Sequence, residues 1–483
     1  METAKATMLL WSGWWLFGVS LFVFVVVTVA RRSGWLTRKP KYTYPPVCKG
    51  LPFLGSALEF GKNPLEFLQS CRKQYGDVFT VVLPGRRMTF IFASTEQVRK
   101  YFFNGPSSLI SFTAGVEPFT CRIFGMSKKD FSLAHRSLLT TLRSELGAKN
   151  IPQLAHRLIN YYLDNFRSLW GKKNERDASE LLLKTLSDAS LRVVFGDEFA
   201  NASPSLLNDF VVFDEWFELA ATPLLPHFLL RPFVTSRRRL LDTIAANWKY
   251  TKNAPIYKLT EAYGNEGNVP SLLFTALWAT WSNASSASFW TLIYILADEK
   301  VKYKVLAEVE KASPLLLSSK TELSAEWIFS NLPYVSYCVS ETLRLCASVV
   351  DIRKVLADME FGEFTIRQGD YLCISPAVAH REDSMFSQSE NFVPDRFQKQ
   401  GAHPNAVFDK DLFTFGGGFY KCPGQLFAMV ELVLFIALAF YLYDIQLVDP
   451  VPKLKETQAV GIKKPSASCR IYYQWKRRLA GME

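Results

Sequence analysis

The sequence predicts a mainly α-helical domain with small β-sheets, tethered by a single apolar helix at its amino end. Three observations predict it. Apolar residues recur at helical spacing through most of the stretch from Asp130 to Trp290, as in Leu154 to Leu169 and Ala178 to Val194. Two patches, Gly76 to Phe92 and Val349 to Cys373, carry short strand-like runs bounded by turn residues. One segment, Met8 to Ala30, is almost wholly apolar and contains no charged residue.

As a helix rising ~1.5 Å per residue, those 23 residues span roughly 35 Å, enough for the ~30 Å hydrocarbon layer of a bilayer. Trp11, Trp14 and Trp15 lie toward one interface; Arg31, Arg32, Arg38, Lys39 and Lys41 follow the other, which puts the rest of the chain on the cytosolic side. A cleaved signal peptide fits less well, because its apolar core is normally shorter and preceded by more positive charge. Pro40, Pro45 and Pro46 then make a semi-rigid spacer. No later apolar run is long enough to span. The expected organisation is an anchor over 1–32, a proline-rich hinge over 33–50 and one large domain over 51–483.

Within that domain, Val78-Phe79-Thr80-Val81-Val82-Leu83, a Pro84-Gly85 turn and Met88-Thr89-Phe90-Ile91-Phe92 read as a hairpin. Gly362 and Gly369 punctuate the second strand-rich patch, and a long apolar helix is expected from Gln425 to about Tyr441. Leu224 to Phe233 is apolar but broken by Pro226 and Pro232, so it reads equally as a buried connection or as a second surface dipping into a membrane.

Half of the residues are apolar (49%), which suits a packed globular protein and excludes a disordered chain. The net charge of +11 permits attraction to anionic lipid, an acidic protein or nucleic acid. No nucleic-acid-binding motif is found and the basic residues are scattered, so no nucleic-acid partner is expected. Arg237-Arg238-Arg239 could meet an acidic redox partner, although a solvated helix face explains them as well. The eight cysteines form no Cys-x-x-Cys pair and no zinc-type spacing, which fits a reducing, cytosol-facing compartment.

The chemistry concentrates in Phe415-Gly416-Gly417-Gly418-Phe419-Tyr420-Lys421-Cys422-Pro423-Gly424. Glycines let the backbone bend tightly and approach a flat cofactor. A cysteine at the end of such a loop, just before a helix, gains N–H groups and a positive dipole end that favour thiolate. A buried free cysteine in a glycine-rich turn would look the same. The loop nevertheless resembles that of the cytochrome P450 family, Phe-x-x-Gly-x-x-x-Cys-x-Gly, at Phe415, Gly418, Cys422 and Gly424. Tyr420 stands where the family often has arginine. Glu341-Thr342-Leu343-Arg344 is similar to the family's Glu-x-x-Arg helix motif, whose i and i+3 residues share a face. Pro394-Asp395-Arg396-Phe397 is similar to the following segment, whose arginine joins that pair.

The resemblance covers nearly the whole chain and implies a triangular helical prism around haem b, with Cys422 as the axial iron ligand and Glu341, Arg344 and Arg396 supporting its loop. The second helix beside the haem should contain Leu277 to Ala284, with Trp278 and Ala279 bordering the substrate. There the sequence departs from the family's majority pattern. Ser282 falls at the acid position and Asn283 at the threonine position of the usual proton relay, so these two are the catalytic candidates, with a water bridged by Asn283 as the remaining route. This helix is similar to those of the branch holding the sterol 7α-hydroxylases, the sterol 12α-hydroxylase and prostacyclin synthase. Arg353 occupies the position that usually serves a haem propionate. His135 and Arg136 lie on a helix that usually carries a second such group, and His380 reads as structural.

Taken with the anchor, the resemblance implies a single-pass protein of the endoplasmic reticulum membrane whose catalytic domain faces the cytosol. It would take electrons from NADPH through NADPH–cytochrome P450 reductase and use O2 to hydroxylate an oxysterol at the 7α carbon. Two rivals remain: rearrangement of an already oxygenated lipid, needing neither dioxygen nor reductase, and a haem protein that binds lipid without converting it.

Overall fold

The computed structural model describes residues 43–222, 225–263, 269–318, 320–398 and 411–476. The expected anchor, the first part of the hinge and Leu224 lie outside the described residues. Among those described, eleven helices have ten residues or more. They are α1 (Pro64–Tyr75), α2 (Phe112–Phe124), α3 (Lys128–Glu145), α4 (Ile151–Asn165), α5 (Ala178–Phe195), α6 (Leu206–Glu215), α7 (Arg231–Asn247), α8 (Val269–Ala297), α9 (Glu299–Leu316), α10 (Pro333–Leu345) and α11 (Gln425–Leu442).

Ten short strands accompany them: β1 (Val78–Leu83), β2 (Arg86–Ile91), β3 (Ile110–Ser111), β4 (Lys173–Asp177), β5 (Asp351–Val355), β6 (Met359–Phe361), β7 (Phe364–Ile366), β8 (Tyr371–Ile374), β9 (Tyr443–Leu447) and β10 (Arg470–Trp475). The expected hairpin forms with Leu83 opposite Arg86. It is one edge of a five-stranded sheet ordered β1-β2-β8-β5-β3, in which β2 and β8 run parallel. Strands β4-β10-β9 form a second sheet. The chain divides into two compact units. The smaller contains residues 360–366 and 43–45, joined where the Thr365 N–H donates to the Thr43 carbonyl at 2.7 Å. Everything that follows concerns the larger.

Its core is built where α4, α5, α8, α10 and α11 pack together. Helix α11 is apolar on all sides, long enough to cross a membrane, and mostly buried within the domain. An all-round apolar helix needs protein or lipid on every face, and here it has protein. Tyr162, Phe166 and Trp170 close on Phe435 from α11 and carry Tyr443 and Tyr473, which ties the second sheet to the helices. The Tyr443 hydroxyl donates to the Phe166 and Gly171 carbonyls at 2.8 and 2.9 Å. The start of α10 is closed by α9: Glu308 accepts the N–H groups of Tyr334 and Val335 at 2.7 and 2.9 Å, satisfying donors that a helix end leaves free.

Glu431 is the one charged residue of α11, buried, with an Oε1 that has no hydrogen-bond partner among the described residues. Burial pushes its carboxyl up to about 8, so the folded chain holds it protonated at neutral pH. The unfolded chain ionises it near pH ~4.3, so stability from this residue is full below that value and drains away as pH rises toward 8. Glu431→Gln is expected to gain roughly 2–4 kcal/mol at pH 7 and nothing at pH 4. Denaturant unfolding across pH checks it; parallel profiles for the two proteins would refute it.

Candidate functional site

The Cys422 loop leads into α11. The Cys422 N–H donates to the Phe415 carbonyl at 2.9 Å, closing the loop on itself. Gly418 has φ +64°, the left-handed region, and a Cβ there would collide with the Phe103 carbonyl and lie 2.8 Å from Asn104 Oδ1. Only glycine lets the loop lie this close to the Phe103 segment. From the other side Arg143 of α3 donates to the Phe419 and Lys421 carbonyls, the latter at 3.1 Å, and lies over the Phe419 ring. The Cys422 side chain is exposed. Burial within the surrounding protein still pushes its thiol up, against the lowering effects of the Gly424 N–H, Lys421 and Arg143. Both facts hold for a thiol that opens onto an enclosed hollow. The pull toward thiolate expected from the helix start is therefore outweighed by desolvation, and a bound metal ion reverses that balance by displacing the proton.

Glu341 and Arg344 lie on α10, both completely buried. Arg344 Nε and Nη2 donate to the two Glu341 oxygens at 2.8 and 2.9 Å. The other donors reach the His380, Ser389 and Asn391 carbonyls at 2.6, 2.6 and 3.0 Å, so all five N–H groups are used. Arg396 Nε donates to both Glu341 oxygens at 3.0 and 3.1 Å, and the Val393 N–H adds a bond at 2.8 Å. The cluster reaches the cysteine loop through two links. His380 Nε2 accepts the Phe413 N–H at 3.0 Å, and the Thr414 hydroxyl donates to the Leu343 carbonyl at 3.2 Å. Burial and the neighbouring Arg344 and Arg381 push the His380 imidazole down to about 3, which keeps it neutral and able to accept that bond.

Arg353 and His135 meet around one ring. The Arg353 guanidinium lies 4.8 Å from the Phe112 centroid and 4.4 Å from that of Phe102. The Phe112 ring is 5.8 Å from His135 and 4.7 Å from Tyr420. Arg353 is buried, yet among the described residues its side chain makes one hydrogen bond, to the Ile352 carbonyl. His135 Nε2 is buried and has no hydrogen-bond partner among the described residues. A buried cation with spare donors beside an orphaned imidazole nitrogen calls for an anionic acceptor. The two propionates of haem would supply it, and the accessible thiol would supply the iron ligand. The residues present fit haem.

Helix α8 has an exposed residue, Ala279, in the midst of a buried stretch. That face therefore borders a hollow. Ser282 and Asn283 lie beside it, but each is engaged. The Ser282 hydroxyl donates to Asp214 of α6 at 2.9 Å, as does Trp278 Nε1 at 3.0 Å. Lys464 also pairs with Asp214. Asn283 Oδ1 accepts the Ile462 N–H at 2.8 Å, and a Cβ on Gly461 would sit 2.6 Å from it. Glu218 accepts the N–H groups of Ala459 and Val460 at 3.2 and 2.9 Å. A carboxy-terminal loop is thus clamped against α6 and α8. Asp214, Glu218 and Lys464 carried no local signal, because their partners lie more than sixty residues away in sequence. The arginine run divides: Arg237 is engaged with the Arg122 carbonyl at 2.9 Å, while Arg238 and Arg239 are exposed.

These features define a haem-thiolate oxygenase, and a family model for cytochrome P450 matches residues 45–254 and 258–470. The chain belongs to the cytochrome P450 family and is a monooxygenase. It is 30% identical over 456 residues to the human 24-hydroxycholesterol 7-alpha-hydroxylase, covering 91% of this chain and 95% of that one. It is 26% identical to the human 7-alpha-hydroxycholest-4-en-3-one 12-alpha-hydroxylase (89% and 93% covered) and 25% identical to mouse cytochrome P450 7B1 (95% and 95%).

Arg353→Leu is expected to weaken haem binding about 10–100-fold, the usual cost of losing an outer partner of a bound metal group. Haem transfer to an apo-globin measures it. Transfer rates equal to the parent's would remove Arg353 from the haem site.

Proposed function

We propose that this chain hydroxylates an oxysterol, most directly 24-hydroxycholesterol, at the 7α carbon. The reading draws on its relation to the 7α- and 12α-hydroxylases, and the observation that carries it is the setting of Asn283. Its oxygen is held by the Ile462 N–H, which fixes the carboxamide and keeps its N–H donors available beside the accessible Ala279. A donor that cannot titrate suits holding a substrate or an ordered water in an otherwise apolar chamber.

Bound haem supplies reductive activation of dioxygen, with one oxygen atom entering a C–H bond and the other leaving as water. The chain does the rest. Cys422 holds the iron; Phe415, Gly418 and Gly424 shape its loop; Arg353 and His135 hold the propionates. Glu341, Arg344 and Arg396 keep the loop in place. Trp278 and Ala279 border the substrate. Ser282, pinned by Asp214, leaves no free acid on α8, so protons reach the chamber through water ordered on the Asn283 amide. Electrons come from NADPH through the membrane reductase, and residues 1–32 anchor the catalytic domain on the cytosolic face of the endoplasmic reticulum. Phe228 and Leu229, exposed at 73% and 60%, support a second contact with the bilayer from the 224–233 segment.

The test is incubation of reconstituted protein with side-chain-hydroxylated cholesterols and mapping of the new hydroxyl. A 7α product that requires both NADPH and reductase is expected. Oxygen elsewhere on the rings would overturn the position, and turnover without NADPH would overturn hydroxylation in favour of lipid rearrangement.

A further inference from the structure

A second cavity, of about 400 Å³, opens beside the end of α8, the end of α10 and the carboxy-terminal loop. Tyr294, Leu345, Phe392 and Leu454 give it apolar walls, and two buried cations, Arg381 and Lys463, line it. Arg381 is committed. It donates to the Leu345 carbonyl at 2.6 Å and to Glu390 at 3.1 Å. Lys463 is not. The residue is 4% exposed, yet among the described residues its ammonium has neither a hydrogen-bond nor an ion-pair partner. Only its backbone is engaged, through the Cys346 carbonyl at 3.1 Å and Trp290 Nε1 at 2.6 Å. An ammonium so largely withdrawn from water without an acceptor is costly, and burial accordingly pushes Lys463 down to about 8, helped by Arg381 and opposed by Glu456 and Glu218.

The lining states what would relieve that cost. Arg381, Lys453 and Lys463 against Glu390 and Glu456 leave one positive charge unbalanced. A single negative charge completes the set; a phosphate, nearer two, overfills it. The remaining walls are hydrocarbon and stacked rings, with Tyr294 4.9 Å from Phe392. We propose that this cavity is a second binding site for an aliphatic carboxylate, with the carboxylate on the Lys463 ammonium and the chain along Tyr294, Leu345, Phe392 and Leu454. The site shares a loop with the oxygenase chamber, because Lys463 follows Ile462, whose N–H holds Asn283. It does not depend on the identity of the substrate proposed above.

The experiment titrates decanoate calorimetrically into the full-length holoenzyme whose haem chamber is filled by an azole that ligates the iron. One-site binding persists under the azole, and it weakens at least about tenfold in Lys463→Met and for 1-decanol. In the parent protein, decanoate also shields Lys463 from acetic anhydride, read by peptide mass spectrometry, which keeps the test decisive should the variant misfold. Equal affinity for decanol, unchanged affinity in a folded Lys463→Met protein, loss of binding under the azole, or absent shielding would each overturn the site.

Discussion

Arg344→Ala is expected to destabilise the folded chain by about 3–5 kcal/mol and to yield protein that retains little haem. The magnitude follows from what the guanidinium satisfies. Its loss leaves the buried carbonyls of His380 and Ser389 and the part-buried carbonyl of Asn391 short of a donor, and the fully buried Glu341 short of its bidentate partner. Arg396 and the Val393 N–H remain on Glu341, so the carboxylate is not wholly abandoned. Exposed i,i+3 pairs contribute at most a few tenths of a kcal/mol, so the burial decides the outcome. Lysine should not rescue, since an ammonium cannot reproduce five donors in a planar fork. Denaturant unfolding and haem content check this, and a loss below ~1 kcal/mol would show that the cluster is not what holds the cysteine loop.

Cys422→Ser is expected to abolish turnover while leaving the apo fold within ~0.5 kcal/mol of the parent. The side chain is exposed, and the loop is held by its backbone, through the bond from the Cys422 N–H to Phe415 and the Arg143 bonds to Phe419 and Lys421. Serine keeps those bonds and removes only the sulfur. The two substitutions therefore fail differently, one by unfolding and one by chemistry. Sterol turnover measured beside denaturant unfolding separates them, and residual turnover by the serine protein would exclude position 422 as the source of the iron ligand.

Much of this was legible in local sequence because local sequence carries it. The hairpin turn at Pro84-Gly85, the helical periods of α4 and α5 and the apolar run of α11 each depend on residues close in the chain. The second sheet was not legible. Strand β4 reads Lys-Asn-Glu-Arg-Asp, a charged stretch with no strand preference, and it is extended because β10 pairs with it from nearly 300 residues away. The same limit hid the clamp. Ser282 and Asn283 were visible as unusual residues on α8, but their partners, Asp214 and Ile462, come from distant segments. Glu341 and Arg344 could be paired from spacing alone, whereas their complete burial and the three further bonds of Arg344, to the His380, Ser389 and Asn391 carbonyls, arise from packing by the 380–396 segment.

The most direct measurement is the carbon-monoxide difference spectrum of the reduced, full-length protein beside its Cys422→Ser counterpart. The parent should display the long-wavelength band diagnostic of sulfur on iron, and the serine protein should lose it. If the serine protein keeps that band, the iron is held by some other sulfur and Cys422 is not the ligand.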